Sequence, residues 1–81
     1  MTRLTERQKR LLAYMADKPD VDSLMALNAI RAQLNRRPCL DDAGEVLRQL
    51  VKRGLAERIR QGIYRITPEG RALLAALEAQ S

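Results

Sequence analysis

The run Leu47-Arg48-Gln49-Leu50-Val51-Lys52-Arg53-Gly54-Leu55-Ala56-Glu57-Arg58-Ile59-Arg60-Gln61-Gly62-Ile63-Tyr64-Arg65-Ile66-Thr67-Pro68-Glu69-Gly70 changes its periodicity twice. Up to Arg53 the apolar positions Leu47, Leu50 and Val51 recur at spacings of three and four, which marks one face of a helix. Gly54 stands where a left-handed helix end belongs, and apolar Leu55 follows it. From Leu55 to Thr67 the pattern alternates, broken by Gln61-Gly62, and this predicts a short hairpin. Thr67 is then a helix cap, with Pro68 at the first helical position and Leu73, Leu74 and Leu77 as the apolar stripe of a last helix. A two-stranded hairpin is not stable alone in water, so this one must lay its apolar face on helices.

Towards the N-terminus the same helix extends back to about Asp41. Ala43, Val46, Leu47, Leu50 and Val51 line one face, and Asp42 with Glu45 has the spacing of a capping box. Asn35-Arg36-Arg37-Pro38 reads as a turn. Before it, Leu24, Leu27, Ile30 and Leu34 predict a helix from about Ser23 to Asn35, capped by Asp22 or Ser23. The first helix begins near Thr5, where Thr5 and Gln8 have capping-box spacing. It carries Leu4, Leu11, Leu12 and Met15 on one stripe and stops at Pro19-Asp20. The predicted order is α-α-α-β-β-α: a mainly α chain with a small β-hairpin, forming a single domain over residues 1–81.

Charge is unevenly spread. The chain has 15 Lys+Arg against 10 Asp+Glu and a net charge of +5. Residues 31–65 hold Arg31, Arg36, Arg37, Arg48, Lys52, Arg53, Arg58, Arg60 and Arg65 against Asp41, Asp42, Glu45 and Glu57, so the whole excess sits there. Such a segment favours an anionic partner.

The residues from Leu47 to Arg58, followed by Tyr64-Arg65-Ile66-Thr67-Pro68-Glu69-Gly70, resemble winged helix-turn-helix regulators of the multiple-antibiotic-resistance (MarR) and phenolic-acid (PadR) repressor types. Those share a recognition helix ending "L..L...GL.ER", a wing, and "LT.EGR". The likeness is strong from 46 to 74 and architectural before that. It implies a winged helix-turn-helix fold, with a very short strand at Val21, a third helix (about 41–53) lying in a DNA major groove and a wing (about 55–67) beside it.

On that reading the third helix turns Asp41, Glu45, Arg48, Gln49 and Lys52 away from the core. Arg48 suits guanine and Gln49 adenine, both as two-pronged contacts, while Lys52 and Arg53 suit phosphate. Glu45 fits two roles, complementing the helix dipole or accepting a hydrogen bond from cytosine N4. The acidic start formed by Asp41, Asp42 and Glu45 departs from what a base-reading helix needs and also suits a protein partner. If Gln61-Gly62 is a two-residue turn, Arg60 pairs with Ile63 and Arg58 with Arg65. Ala56, Arg58, Arg60, Ile63, Arg65 and Thr67 then share one face, opposite Leu55, Glu57, Ile59, Tyr64 and Ile66. Opposed arginines are unfavourable unless a polyanion lies across them. Gln61 at the wing tip and Arg36 and Arg37 ahead of the third helix complete the candidate DNA-binding set. Arg3, Arg7, Lys9 and Arg10 gather at the first helix with Glu6.

There is no histidine, one cysteine (Cys39) and no glycine-rich phosphate loop, so neither an enzyme nor a cofactor or metal site is expected. No apolar run has the length of a membrane span, and a cytoplasmic, nucleoid-associated protein is the expectation. The expected function is that of a small transcription regulator binding double-stranded DNA, with a homodimer matching a twofold site. The alternative is a winged-helix module docking onto another protein.

Overall fold

The computed structural model describes residues 4–18, 20–34, 37 and 39–79. Four helices and three strands follow one another as α1 (Glu6–Asp17), β1 (Val21–Asp22), α2 (Ser23–Ile30), a 3₁₀ turn (Arg31–Gln33), α3 (Leu40–Lys52), β2 (Ala56–Arg60), β3 (Ile63–Ile66) and α4 (Pro68–Ala79). The fold is mainly helical with a small antiparallel sheet of order β1-β3-β2. Val21 pairs with Tyr64 and Asp22 with Ile63, so the expected strand at Val21 is present and shields one edge of the hairpin.

Local signals in the sequence account for most of the element ends. At α1, Thr5 Oγ1 accepts the Gln8 backbone N–H (3.2 Å) and Gln8 Oε1 accepts the Thr5 N–H (3.0 Å), a complete capping box. Asp22 caps α2 by accepting the Met25 N–H at 2.8 Å. Helix α3 ends in a full Schellman motif. Gly54, at φ 76°, donates its N–H to the Val51 carbonyl, and Leu55 donates to the Leu50 carbonyl, both at 3.0 Å. Pro68 opens α4, where Thr67 Oγ1 accepts the Gly70 N–H at 3.1 Å.

One core joins the elements. Leu11, Leu12 and Met15 of α1, Val21, Ile30 of α2, Leu47 and Leu50 of α3 are fully buried, and Leu55, Ile66 and Leu74 close the sheet and α4 against them. Gly70 permits a close approach at this seam. A Cβ on it would lie 2.2 Å from the Leu55 carbonyl oxygen, so only glycine lets α4 sit against the chain leaving α3. Thr67 locks the same seam, donating Oγ1–H to the Gly54 carbonyl at 2.7 Å and its backbone N–H to the Leu55 carbonyl at 3.1 Å.

Four expectations are corrected. The second helix stops at Ile30 and tightens into a 3₁₀ turn, short of the expected Asn35, and its buried residues are Ala26 and Ile30 while Leu24 is 59% exposed. Helix α3 starts at Leu40, and its N-terminal pairing sits three residues earlier than the expected Asp42–Glu45 box: the buried Asp42 carboxylate accepts the Cys39 N–H at 3.3 Å. Asn35, Arg36, Pro38 and Pro19 lie outside the described residues.

The third and fourth corrections concern the hairpin. Arg60 does lie opposite Ile63, but behind a bulge between Arg58 and Arg60 the register moves by one: Arg58 opposes Tyr64, Glu57 opposes Arg65 and Ala56 opposes Ile66. The cause is the turn. A two-residue type I′ turn needs positive φ at both central residues, and here Gly62 alone has it (79°). The strand takes up an extra residue, as hairpins with a single left-handed turn residue do. The expected single face carrying Arg58, Arg60 and Arg65 is therefore split. Ala56 and Thr67, expected on that exposed face, are buried, while Ile59, expected on the inner face, is 41% exposed.

Candidate nucleic-acid interface

Helix α3 buries Ala43, Val46, Leu47 and Leu50, which leaves Asp41, Glu45, Arg48, Gln49 and Lys52 exposed, as its apolar stripe predicted. Residues four apart stack on a helix surface. Arg48 and Lys52 thus form one pair and Glu45 and Gln49 another, and the two pairs open onto different flanks.

On the sheet side, Arg48, Val51, Lys52, Arg58 and Tyr64 line an open depression of about 380 Å³. The bulge creates this grouping. It puts Arg58 opposite Tyr64, on the face that Ala56 and Ile66 turn to the core, so the Arg58 head emerges beside α3 rather than beside Arg65. Among the described residues three cations border the depression and no carboxylate does. Val51 and Tyr64 give it an apolar floor; neither was singled out as a site residue from the sequence, because both read as core.

On the α1 side, Thr5, Glu6, Arg7, Glu45, Val46 and Gln49 line a second depression of about 380 Å³. Its charges are mixed, and Glu6 also pairs with Arg10 at 3.5 Å. Here Gln8 Nε2 donates to Gln49 Oε1 at 2.7 Å, joining α1 to α3. Gln8 is only 4% exposed. It was missed as a site residue, although a polar side chain within the stripe of Leu4, Leu11, Leu12 and Met15 was a usable signal.

The other candidates scatter. Arg65 Nε binds Glu57 Oε1 at 2.5 Å on the outer face of the hairpin. Arg60 and Gln61 are exposed at the hairpin tip, Arg53 is exposed at the end of α3, and Arg37 is exposed ahead of it. Arg36 lies outside the described residues. Of the eleven residues expected to touch DNA, the structure brings Arg48, Lys52 and Arg58 together and sets Glu45 and Gln49 apart from them.

The acidic start of α3 is smaller on the surface than in the sequence. Asp42 is buried and turned to the Cys39 N–H, leaving Asp41 and Glu45 exposed. Among the described residues no helix is long and apolar enough to cross a membrane. Comparison of the chain with models of protein families, with curated proteins and with solved structures finds no match to any of them.

Proposed function

We propose that this chain is a winged-helix domain that binds double-stranded DNA through α3 and the β2–β3 hairpin and acts as a small transcription regulator. The observation that carries the reading is the carboxylate-free depression bordered by Arg48, Lys52 and Arg58. The three cations come from a helix and a strand and converge on one strip, the arrangement that a phosphate backbone running between helix and wing requires. Arg60 and Gln61 at the hairpin tip and Arg37 ahead of α3 are exposed and free to add contacts outside that depression. The order of elements and the edge strand β1 agree with a winged helix. The protein-docking alternative rests on the acidic start of α3; burial of Asp42 reduces that patch to the neighbouring Asp41 and Glu45.

Titration of labelled duplex across a salt series tests the proposal. Each phosphate contact contributes about 0.9 to the slope of log affinity against log salt. Replacing Arg48, Lys52 and Arg58 together with alanine is expected to lower the slope by two to three (about 0.9 per contact) and to weaken binding by about a hundredfold near 0.1 M salt. Unchanged affinity in the triple variant would remove the interface.

A further inference from the structure

We infer that Gln49 reads a hydrogen-bond acceptor edge in the major groove, guanine before any other base, and that Gln8 sets this polarity from beneath it. The inference rests on the duplex-DNA reading above and deepens it.

The starting point is a backbone N–H, whose polarity is beyond doubt. The Thr5 N–H can only donate, and it donates to the Gln8 side chain at 3.0 Å. The Gln8 atom that receives it is therefore the amide oxygen, and the other end of that amide is the NH₂ group. That group meets Gln49 at 2.7 Å, so the Gln49 atom facing it is an acceptor, Oε1. Gln49 is exposed, and the end of its amide left for a partner is its NH₂ group. Orientation is thus passed along a relay of three groups, from the α1 cap to the surface of α3.

Reversal of the relay carries a penalty. Turning the Gln49 amide would set two N–H groups against each other, with Gln8 at 4% exposure and little access for water to replace the lost acceptor. A free glutamine pairs with adenine by donating to N7 and accepting from N6. The Gln49 oxygen keeps a second lone pair, but the Gln8 bond holds that oxygen inward against α1. The NH₂ group is therefore the end turned outward, and the two-pronged adenine contact, which needs both ends at the base edge, is lost. Guanine offers two acceptors in the major groove, N7 and O6, and thymine one, O4; cytosine offers a donor. The adenine contact expected from the sequence gives way to guanine.

The test is selection of bound duplexes from a randomised pool, sequenced for the wild type and for variants. The wild type is expected to favour guanine at one position by roughly three- to tenfold, the range of a single net hydrogen bond. Gln49→Ala should flatten that position and leave the others. In Gln8→Glu the carboxylate still accepts the Thr5 N–H, as capping boxes commonly do, but it offers Gln49 only an acceptor. Gln49 then donates inward and presents its oxygen, so the preference at that one position should move to a donor base, adenine or cytosine. Gln49→Glu, a surface change that keeps the Gln8 bond, should move it to cytosine, and it serves if Gln8→Glu does not fold. Duplex binding with every position unchanged in Gln49→Ala, or guanine still favoured in the folded Gln8→Glu and in Gln49→Glu, overturns the inference and spares the functional reading. A wild type that binds no duplex overturns both.

Discussion

The two flanks of α3 are alike in size and opposite in chemistry. Each opens onto a depression of about 380 Å³. Towards the sheet, Arg48, Lys52 and Arg58 gather with no carboxylate among them. Towards α1, Glu6 and Glu45 offset Arg7, and a buried glutamine ties the helices together. The contrast arises across one exposed arc of a helix: at about 100° per residue, Arg48 lies at the sheet-side edge of the arc, Gln49 at the α1-side edge, and Lys52 and Glu45 between them. A net charge of +5 spread over this surface would say little; three cations sorted onto one flank are what the proposed phosphate contact draws on, while the other flank holds Gln49 on its bond to Gln8.

The sheet-side flank depends on where the hairpin sits, and Gly70 holds it there. Gly70→Ala would drive a methyl group to 2.2 Å from the Leu55 carbonyl oxygen and 2.8 Å from the Ile66 Cγ1. Backbone has to move, so the variant is expected to lose about 3 kcal/mol or more in urea unfolding. That is a large part of what a domain of this size holds. The α1 side, with its Gln8–Gln49 bond, contains neither Leu55 nor Gly70, so the damage should concentrate in hydrogen exchange of the hairpin and α4. Equal loss of protection at the α1–α3 contact would break the separation of the flanks.

Thr67→Ala strikes the same seam more gently. It removes the acceptor for the Gly70 N–H and the donor to the Gly54 carbonyl. Loss of a helix cap costs about 1 kcal/mol and up to about 2, and the second bond places this site at the upper end. The midpoint of urea unfolding reads it directly.

Gly44→Ala is expected to move stability the other way. Glycine inside a helix costs up to about 1 kcal/mol relative to alanine. A Cβ here meets only the Arg48 Nη1, at an ordinary 3.6 Å. The melting temperature should rise by about 5 °C, with duplex affinity unchanged. A fall in affinity at raised stability would show that Arg48 needs the open space over Gly44 when it binds.

These cases also mark how far the sequence could be read. Thr5 with Gln8, Gly54 with Leu55, and Thr67 with Pro68 announce helix ends because a cap or a left-handed residue is a local requirement, met within a few residues of chain. Gly70 was visible as part of a pattern, but its reason was not: the Leu55 carbonyl it makes room for is fifteen positions away in the chain. The hairpin register was the costliest illegible feature. Gln61-Gly62 fixes that a turn occurs but admits two loop lengths, and the difference of one residue turns Arg58 from Arg65 towards Tyr64. The cationic residues were therefore identifiable, while their grouping was not. The Gln8–Gln49 bond joins residues 41 positions apart, and nothing local specifies it.

Glu57→Gln probes the smallest effect and the sharpest point of the comparison. Arg65 was expected to face Arg58 across the hairpin, and it faces Glu57 instead, both half-exposed, at 2.5 Å. An exposed pair of this kind contributes about 0–1 kcal/mol, so breaking it should leave urea unfolding nearly unchanged. Its electrostatic role is larger than its energetic one. Glu57 is the carboxylate on the hairpin, and it neutralises an arginine that would otherwise add, from the outer face, to the positive charge of the proposed interface. With the carboxylate gone, duplex affinity should rise by about two- to threefold and the salt slope steepen by up to about one. Arg65→Ala in the wild-type background should then change affinity little, and in the Glu57→Gln background it should cancel the gain. If Arg65→Ala weakens binding as much as Arg58→Ala does, both faces of the hairpin reach the duplex and the strip on the α3 flank is not the whole interface.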